Sequence, residues 1–262
     1  MLLAVDVGNS NTVIGVYEGH ELVEHWRIST ESSRTADELA LLFQGFMAFQ
    51  NLSFSKNVHG VVLSSVVPLV TERMVEMTRK YFHFPPVVVR PGTRTGFAIN
   101  MDNPREVGAD RLVNAIAAHD RYGGPGVVVD FGTSTNFDVY TAKAEFIGGA
   151  IAPGVMMSME ALSARGAQLP KFELRSPRSA IGRNTIEAMQ SGAVYGFAGQ
   201  VDRIIERITD SLIDAGHGAP VVVATGGLAS SIVEECHHIQ HYEPWLTLDG
   251  LRLIWDRNTD QG

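Results

Sequence analysis

One cysteine, Cys236, stands in the 262 residues, so no internal disulfide can form and no cysteine-based metal cluster is supported. That usage suits a reducing cytoplasm. There is no run of lysine or arginine and the net charge is −8, which argues against a nucleic-acid or anionic-membrane surface, since either would favour a basic patch. A phosphate site in such a chain has to be built locally. No apolar run approaches the ~20 residues of a membrane-spanning helix, and Asp6 arrives too early for the core of a signal peptide. The expectation is a cytoplasmic protein with no membrane and no nucleic-acid partner. The Walker-type Gly-x-x-x-x-Gly-Lys-Ser/Thr loop is absent, and the hydroxyl-rich turns have no histidine beside them for a nucleophilic triad. His237, His238 and His241 fall in a polar stretch and read as solvated surface rather than metal ligands.

What the chain does have is one pattern used twice. Leu2-Leu3-Ala4-Val5 runs into Asp6-Val7-Gly8-Asn9-Ser10-Asn11-Thr12, and Gly126-Val127-Val128-Val129 runs into Asp130-Phe131-Gly132-Thr133-Ser134-Thr135. In each copy a buried strand delivers a carboxylate to its end, a glycine permits a tight turn, and hydroxyl and amide donors follow. Either copy alone reads as an ordinary hairpin turn. Together they read as a phosphate clamp, and an acid beside phosphate-binding donors requires a cation between them, which implies a nucleotide with Mg²⁺.

The remaining pattern alternates strands and helices, the mark of α/β architecture. Strands are expected at residues 2–5, 12–17, 22–28, 58–67 and 87–89. Helices are expected from the N-cap Thr35, from Pro68 to about Phe82, and over 107–122. Gly123-Gly124-Pro125 ends the last of these, placing a boundary between domains 1–123 and 124–262. The second half predicts strands at 127–130, 136–141, 145–147 and 221–224, with helices near 154–164 and 185–214.

Three further segments carry chemistry. Asn103-Pro104-Arg105-Glu106-Val107-Gly108-Ala109-Asp110-Arg111 sets Asp110 in the first turn of a helix, with Asn114 four residues on along the same face, where a substrate hydroxyl could lie. An aspartate there is also a commonplace helix start. Gly148-Gly149-Ala150-Ile151-Ala152-Pro153-Gly154 reads as a glycine-rich crossing that lets backbone approach a ligand, though such loops also serve plain packing. Ala224-Thr225-Gly226-Gly227-Leu228-Ala229 follows a strand and opens a helix, as a turn lying flat against adenine or ribose would. In the 185–214 helix, Gly192, Gly196 and Gly199 recur on one face, a costly choice unless another helix approaches closely.

These segments, with Gly182-Arg183-Asn184-Thr185, resemble in order and spacing the type III pantothenate kinases across nearly the whole chain. The resemblance implies two ribonuclease-H-like (actin-like ATPase) lobes, mixed sheets flanked by helices, with the nucleotide cleft between them. It implies ATP-dependent phosphorylation of pantothenate to 4′-phosphopantothenate, the first step of coenzyme A synthesis, by a homodimer. Carried across, Asp6, Val7, Gly8, Asn9, Ser10, Asn11, Thr12 and Val13 form the phosphate-binding loop, with Asp6 organising Mg²⁺. Thr133, Gly226 and Gly227 contact ATP, and Asp130 is similar to the family's ligand for a monovalent cation, K⁺ or NH₄⁺. Gly108, Ala109, Asp110 and Arg111 hold pantothenate, Asp110 accepts the hydroxyl proton, and Thr185 reaches the substrate from the partner subunit. Met101 stands where many members carry tyrosine, and a thioether donates no hydrogen bond. Two other readings compete: a kinase or phosphatase of the wider superfamily acting on another small substrate, and a non-catalytic nucleotide-binding regulator.

Overall fold

In the computed structural model, which describes residues 1–52, 54–166, 169–227 and 230–259, the first apolar run forms β1 (Leu2–Val7). It is joined antiparallel to β2 (Asn11–Glu18), and β2 to β3 (Glu21–Ser29). Next come α1 (Ala36–Phe49), the short α2 (Phe54–Asn57), β4 (Gly60–Ser65), α3 (Pro68–Met77) closing in a π-turn at Thr78–Phe82, and β5 (Val87–Val88). β4 lies parallel to β1, giving the sheet order β3-β2-β1-β4-β5.

Helix α1 starts where its sequence says it should. Thr35 accepts from the Glu38 amide while Glu38 accepts from the Thr35 amide, a reciprocal cap of the kind that contributes about 1 kcal/mol. Its Leu39, Phe43 and Met47 are buried with Val5, Ile14 and Leu63 on one face of the sheet, each contributing about 1.5–3 kcal/mol relative to exposure.

After β6 (Ala98–Ile99), helix α4 (Ala109–Tyr122) leads to β7 (Gly126–Phe131), β8 (Ser134–Tyr140) and β9 (Glu145–Pro153). Then follow α5 (Val155–Arg165), the long α6 (Thr185–Asp214), β10 (Val221–Thr225), α7 (Ser230–Val233), β11 (His241–Tyr242) and α8 (Leu246–Thr259). The second sheet has the order β11-β10-β7-β8-β9-β6. Read from the other edge, β9-β8-β7-β10-β11 repeats the connectivity of β3-β2-β1-β4-β5, with β6 added beyond β9. The duplicated motif is therefore a duplicated sheet.

Contacts divide the chain into two units. The first holds Met1–Gly96, Asn103–Ala117 and the chain from Thr247 onward; the second holds Phe97–Asp102 and Ala118–Leu246. Helix α8 thus groups with the first sheet rather than with the neighbours that precede it in sequence. It covers the face opposite α1: Trp255 lies where a Cβ on Gly60 would be, and the Tyr17 hydroxyl donates to Asp249 at 2.7 Å.

Two local expectations are corrected. The Gly148–Gly154 stretch is mostly strand, since β9 continues to Pro153 in register with β8. A Cβ on Gly149 would overlap the Phe137 carbonyl oxygen, so glycine serves close strand packing at that position. The helix bearing Asp110 starts at Ala109 rather than at residue 107, still with Asp110 in its first turn, and a 3₁₀ turn over Pro104–Glu106 capped by Asn103 precedes it. Among the described residues no helix is long and apolar enough to cross a membrane.

Candidate functional site

In the first unit, Asp6 is the penultimate residue of β1, in register with Ser64 on the parallel neighbour β4. The Ser64 hydroxyl, fully buried, donates to Asp6 Oδ1 and fixes the carboxylate at the strand end. The turn that follows is closed by a bond from the Gly8 amide to the Asn11 carbonyl at 3.0 Å. Asn9, Ser10 and Asn11 are exposed at its tip, with Val7 buried and Gly8 and Val13 partly covered. Thr12 is buried and shares a hydrogen bond with Thr30 at 2.9 Å, an anchor for the base of the turn.

The second unit builds the same device. Asp130 is penultimate in β7, paired in register with Thr225 on the parallel strand β10 and with Asn136 on β8. A hydroxyl residue thus stands beside the acid in both sheets. The Gly132 amide donates to Ser134 O at 3.0 Å, leaving Thr133 exposed. Gly226 has a positive φ of 100°, and a Cβ there would lie 2.5 Å from Phe131 O and 2.8 Å from Asp130 Oδ1. The Gly226-Gly227 turn is therefore seated directly on the Asp130 strand end, and the two segments singled out separately in the sequence form one site. Leu228 and Ala229 lie outside the described residues, so the helix expected at that turn is seen only as α7 from Ser230.

Asp110 sits in the first turn of α4, partly buried, and its Oδ1 accepts from the Arg111 amide at 2.9 Å. A Cβ on Gly108 would come 2.5 Å from Asp110 Oδ1, so a larger residue there would displace the carboxylate. Ala109 and Arg111 are partly covered alongside. Asn114 does not share this surface: it is fully buried and its Oδ1 accepts from Thr247 at 2.7 Å. The expected substrate-facing amide is instead a joint between α4 and the start of α8.

Met101 belongs to the second unit and is half-buried after β6. Thr185 is exposed at the start of α6, whose N-cap Asn184 accepts from the Glu187 amide. It borders an apolar groove of about 430 Å³ that also touches Met159, Leu162, Phe172, Gly192 and Phe197. Gly192, Gly196 and Gly199 are exposed along α6, and a Cβ on any of them meets nothing within 4 Å. The helix does not use these glycines to pack on its own sheet. The His237 and His238 amides donate to Asp202, while the His241 ring stacks on Tyr122 at 4.1 Å.

Two sheets of matching connectivity, each ending its central strand in an acid before a glycine turn, define the α/β fold of the actin-like ATPases and sugar kinases. The activator of the 2-hydroxyisocaproyl-CoA dehydratase from Clostridium difficile, solved with bound ADPNP, shares the fold at a TM-score of 0.54 and 12% identity, over 99% of this chain and 96% of that one. The sequence model of the type III pantothenate kinase family matches residues 2–207. The type III pantothenate kinase of Streptomyces avermitilis is 53% identical over 98% of both chains, and that of Thermobifida fusca is 53% identical over 99% of this chain and all of its own. The chain belongs to the type III pantothenate kinase family.

Proposed function

We infer that the protein transfers the γ-phosphoryl group of ATP to the primary hydroxyl of pantothenate, giving 4′-phosphopantothenate in the first step of coenzyme A synthesis. The observation that carries this is full-length similarity to curated type III pantothenate kinases at about half identity, together with the acids at 6, 110 and 130 in the segments the chemistry needs.

The geometry supports a division of labour among these residues. Asp6 is a hard oxygen donor at an open strand end, oriented by Ser64, and suits Mg²⁺ held jointly by phosphate and water. Bound Mg²⁺ would neutralise charge developing on the transferred group. Because the Gly8 amide is already bonded to Asn11 and the buried Thr12 hydroxyl to Thr30, phosphate contacts fall to the exposed Asn9–Asn11 tip. Thr133, Gly226 and Gly227 bind ATP from the second turn. Asp130, flanked in register by the oxygen-bearing side chains of Thr225 and Asn136, supplies the donor chemistry a monovalent cation such as K⁺ or NH₄⁺ prefers.

Pantothenate is held by Gly108, Ala109 and Arg111. Asp110 accepts the hydroxyl proton. A loose phosphoryl-transfer transition state asks for positioning more than for a strong base, so an ordinary carboxylate suffices. The functional unit is a homodimer joined along α6, where three open glycines let two helices approach, and Thr185 serves the partner's substrate. An ADP-release assay in Mg²⁺ and K⁺, run with and without pantothenate, tests the reading; release that does not depend on pantothenate would refute it.

A further inference from the structure

Strand β11 has only two residues and lies at the edge of the second sheet, yet it is anchored on three sides. His241 stacks face to face on Tyr122 at 4.1 Å, Glu243 takes bonds from the Tyr122 hydroxyl and the Arg121 guanidinium, and the Glu243 amide donates to Ala224 O at 2.8 Å. Burial alone would raise the Glu243 carboxyl, but those bonds from Tyr122 and Arg121 outweigh it and hold the group below its ordinary value.

What the anchoring positions is Tyr242. It stands in parallel register with Ala224, two residues before the Gly226-Gly227 turn, and its hydroxyl donates to Gly226 O at 3.2 Å. That bond fixes the ring at the border of the turn, where the residue stays 39% exposed. The turn itself presents only backbone, and the one direction in which Gly226 could carry a side chain is filled by Phe131 and Asp130. A flat ligand resting on this backbone would lie beside an exposed aromatic ring.

We propose that Tyr242 is a nucleotide-binding residue of this kinase, its ring packing against the nucleoside of ATP while its hydroxyl holds the Gly226 carbonyl in place. The assignment rests on the kinase reading above. Stacking on an aromatic ring is tolerant of which base is present, so Tyr242 strengthens binding of purine nucleotides in general rather than selecting adenine. It acts on affinity and leaves the chemical step alone.

The test is calorimetric titration of ADP, with steady-state KM and kcat, for the unsubstituted protein, Tyr242→Ala and Tyr242→Phe. Loss of a base–aromatic contact predicts that Tyr242→Ala weakens ADP binding and raises the ATP KM by roughly tenfold, with GTP affected alike and the pantothenate KM and kcat within about twofold. Tyr242→Phe keeps the ring and stays within about threefold of the unsubstituted protein. Unchanged ADP affinity in Tyr242→Ala overturns the assignment and leaves the kinase reading standing. A loss in Tyr242→Phe as large as in Tyr242→Ala overturns the stacking role. Failure of the unsubstituted protein to bind ADP overturns both readings.

Discussion

Replacing Gly196 with leucine should change sign according to whether α6 pairs with a second copy of itself. In the single chain the position is exposed and a Cβ meets nothing within 4 Å, while glycine inside a helix costs about 0.8–1 kcal/mol relative to a good helix former. An unpaired α6 would therefore gain close to 1 kcal/mol from Gly196→Leu, a rise in Tm of about 2–4 °C for a chain of this size. A helix pair crossing at the glycines gives the opposite result. An inserted side chain costs about 1–3 kcal/mol by overpacking, and two-fold symmetry applies it twice. The dimer would then weaken by about 2–6 kcal/mol, between roughly 30-fold and 10⁴-fold in dissociation constant. Gly45 on α1 is equally open and exposed, so Gly45→Leu serves as the control that should leave assembly untouched. Light scattering across a dilution series, with activity measured on the same samples, reads the outcome. Dimer and turnover should fall together in Gly196→Leu; a protein that melts higher, stays dimeric and loses no activity would refute the pairing and the role given to Thr185.

Asp110→Asn should keep the fold, since asparagine is also tolerated at a helix start, yet slow turnover by roughly 10²-fold or more; near-normal turnover would remove Asp110 from the mechanism. If Asp130 holds K⁺ or NH₄⁺, rates in Na⁺ at equal ionic strength should fall well below those in K⁺, and Asp130→Ala should erase the difference. Equal rates in every salt would count against a cation there. Gly226→Ala forces a side chain into a positive-φ position against the Phe131 backbone; we expect a loss of about 2–4 kcal/mol of stability and weakened ADP binding. A Gly226→Ala protein with unchanged melting and ADP affinity would show that the turn tolerates what the geometry forbids.

The parts of this structure written locally were legible in the sequence. The Thr35 cap, the two acid turns and the helix spanning Thr185–Asp214 all follow from short-range signals: a capping box, a strand ending in Asp before Gly, and sustained helical spacing. Gly149 was ambiguous because a glycine in the sequence does not tell approach to a ligand from the close approach of Phe137 on another strand, which is what it answers here. Asn114 misled for a similar reason. Its spacing from Asp110 is right for a shared face, but its partner Thr247 lies 133 residues away and no local pattern announces it.

Helix α8 was readable in principle, since Leu248, Leu251, Ile254 and Trp255 recur at helical spacing and the first two and Ile254 are buried. That it covers the first sheet depends on Gly15 and Gly60 leaving room for Leu248 and Trp255, which only the folded chain reveals. Tyr242 and Ser64 gave no signal in the sequence at all. A tyrosine and a serine in short strands are unremarkable until register places one against Gly226 and the other against Asp6.

The most direct measurement is the product itself: pantothenate incubated with the purified protein, ATP, Mg²⁺ and K⁺, followed by ³¹P NMR and mass spectrometry. The account predicts a phosphate monoester on the primary hydroxyl of pantothenate, formed in step with ADP and strongly reduced in Asp110→Asn. Unmodified pantothenate under these conditions, or phosphate released to water at the same rate whether pantothenate is present or not, would contradict it.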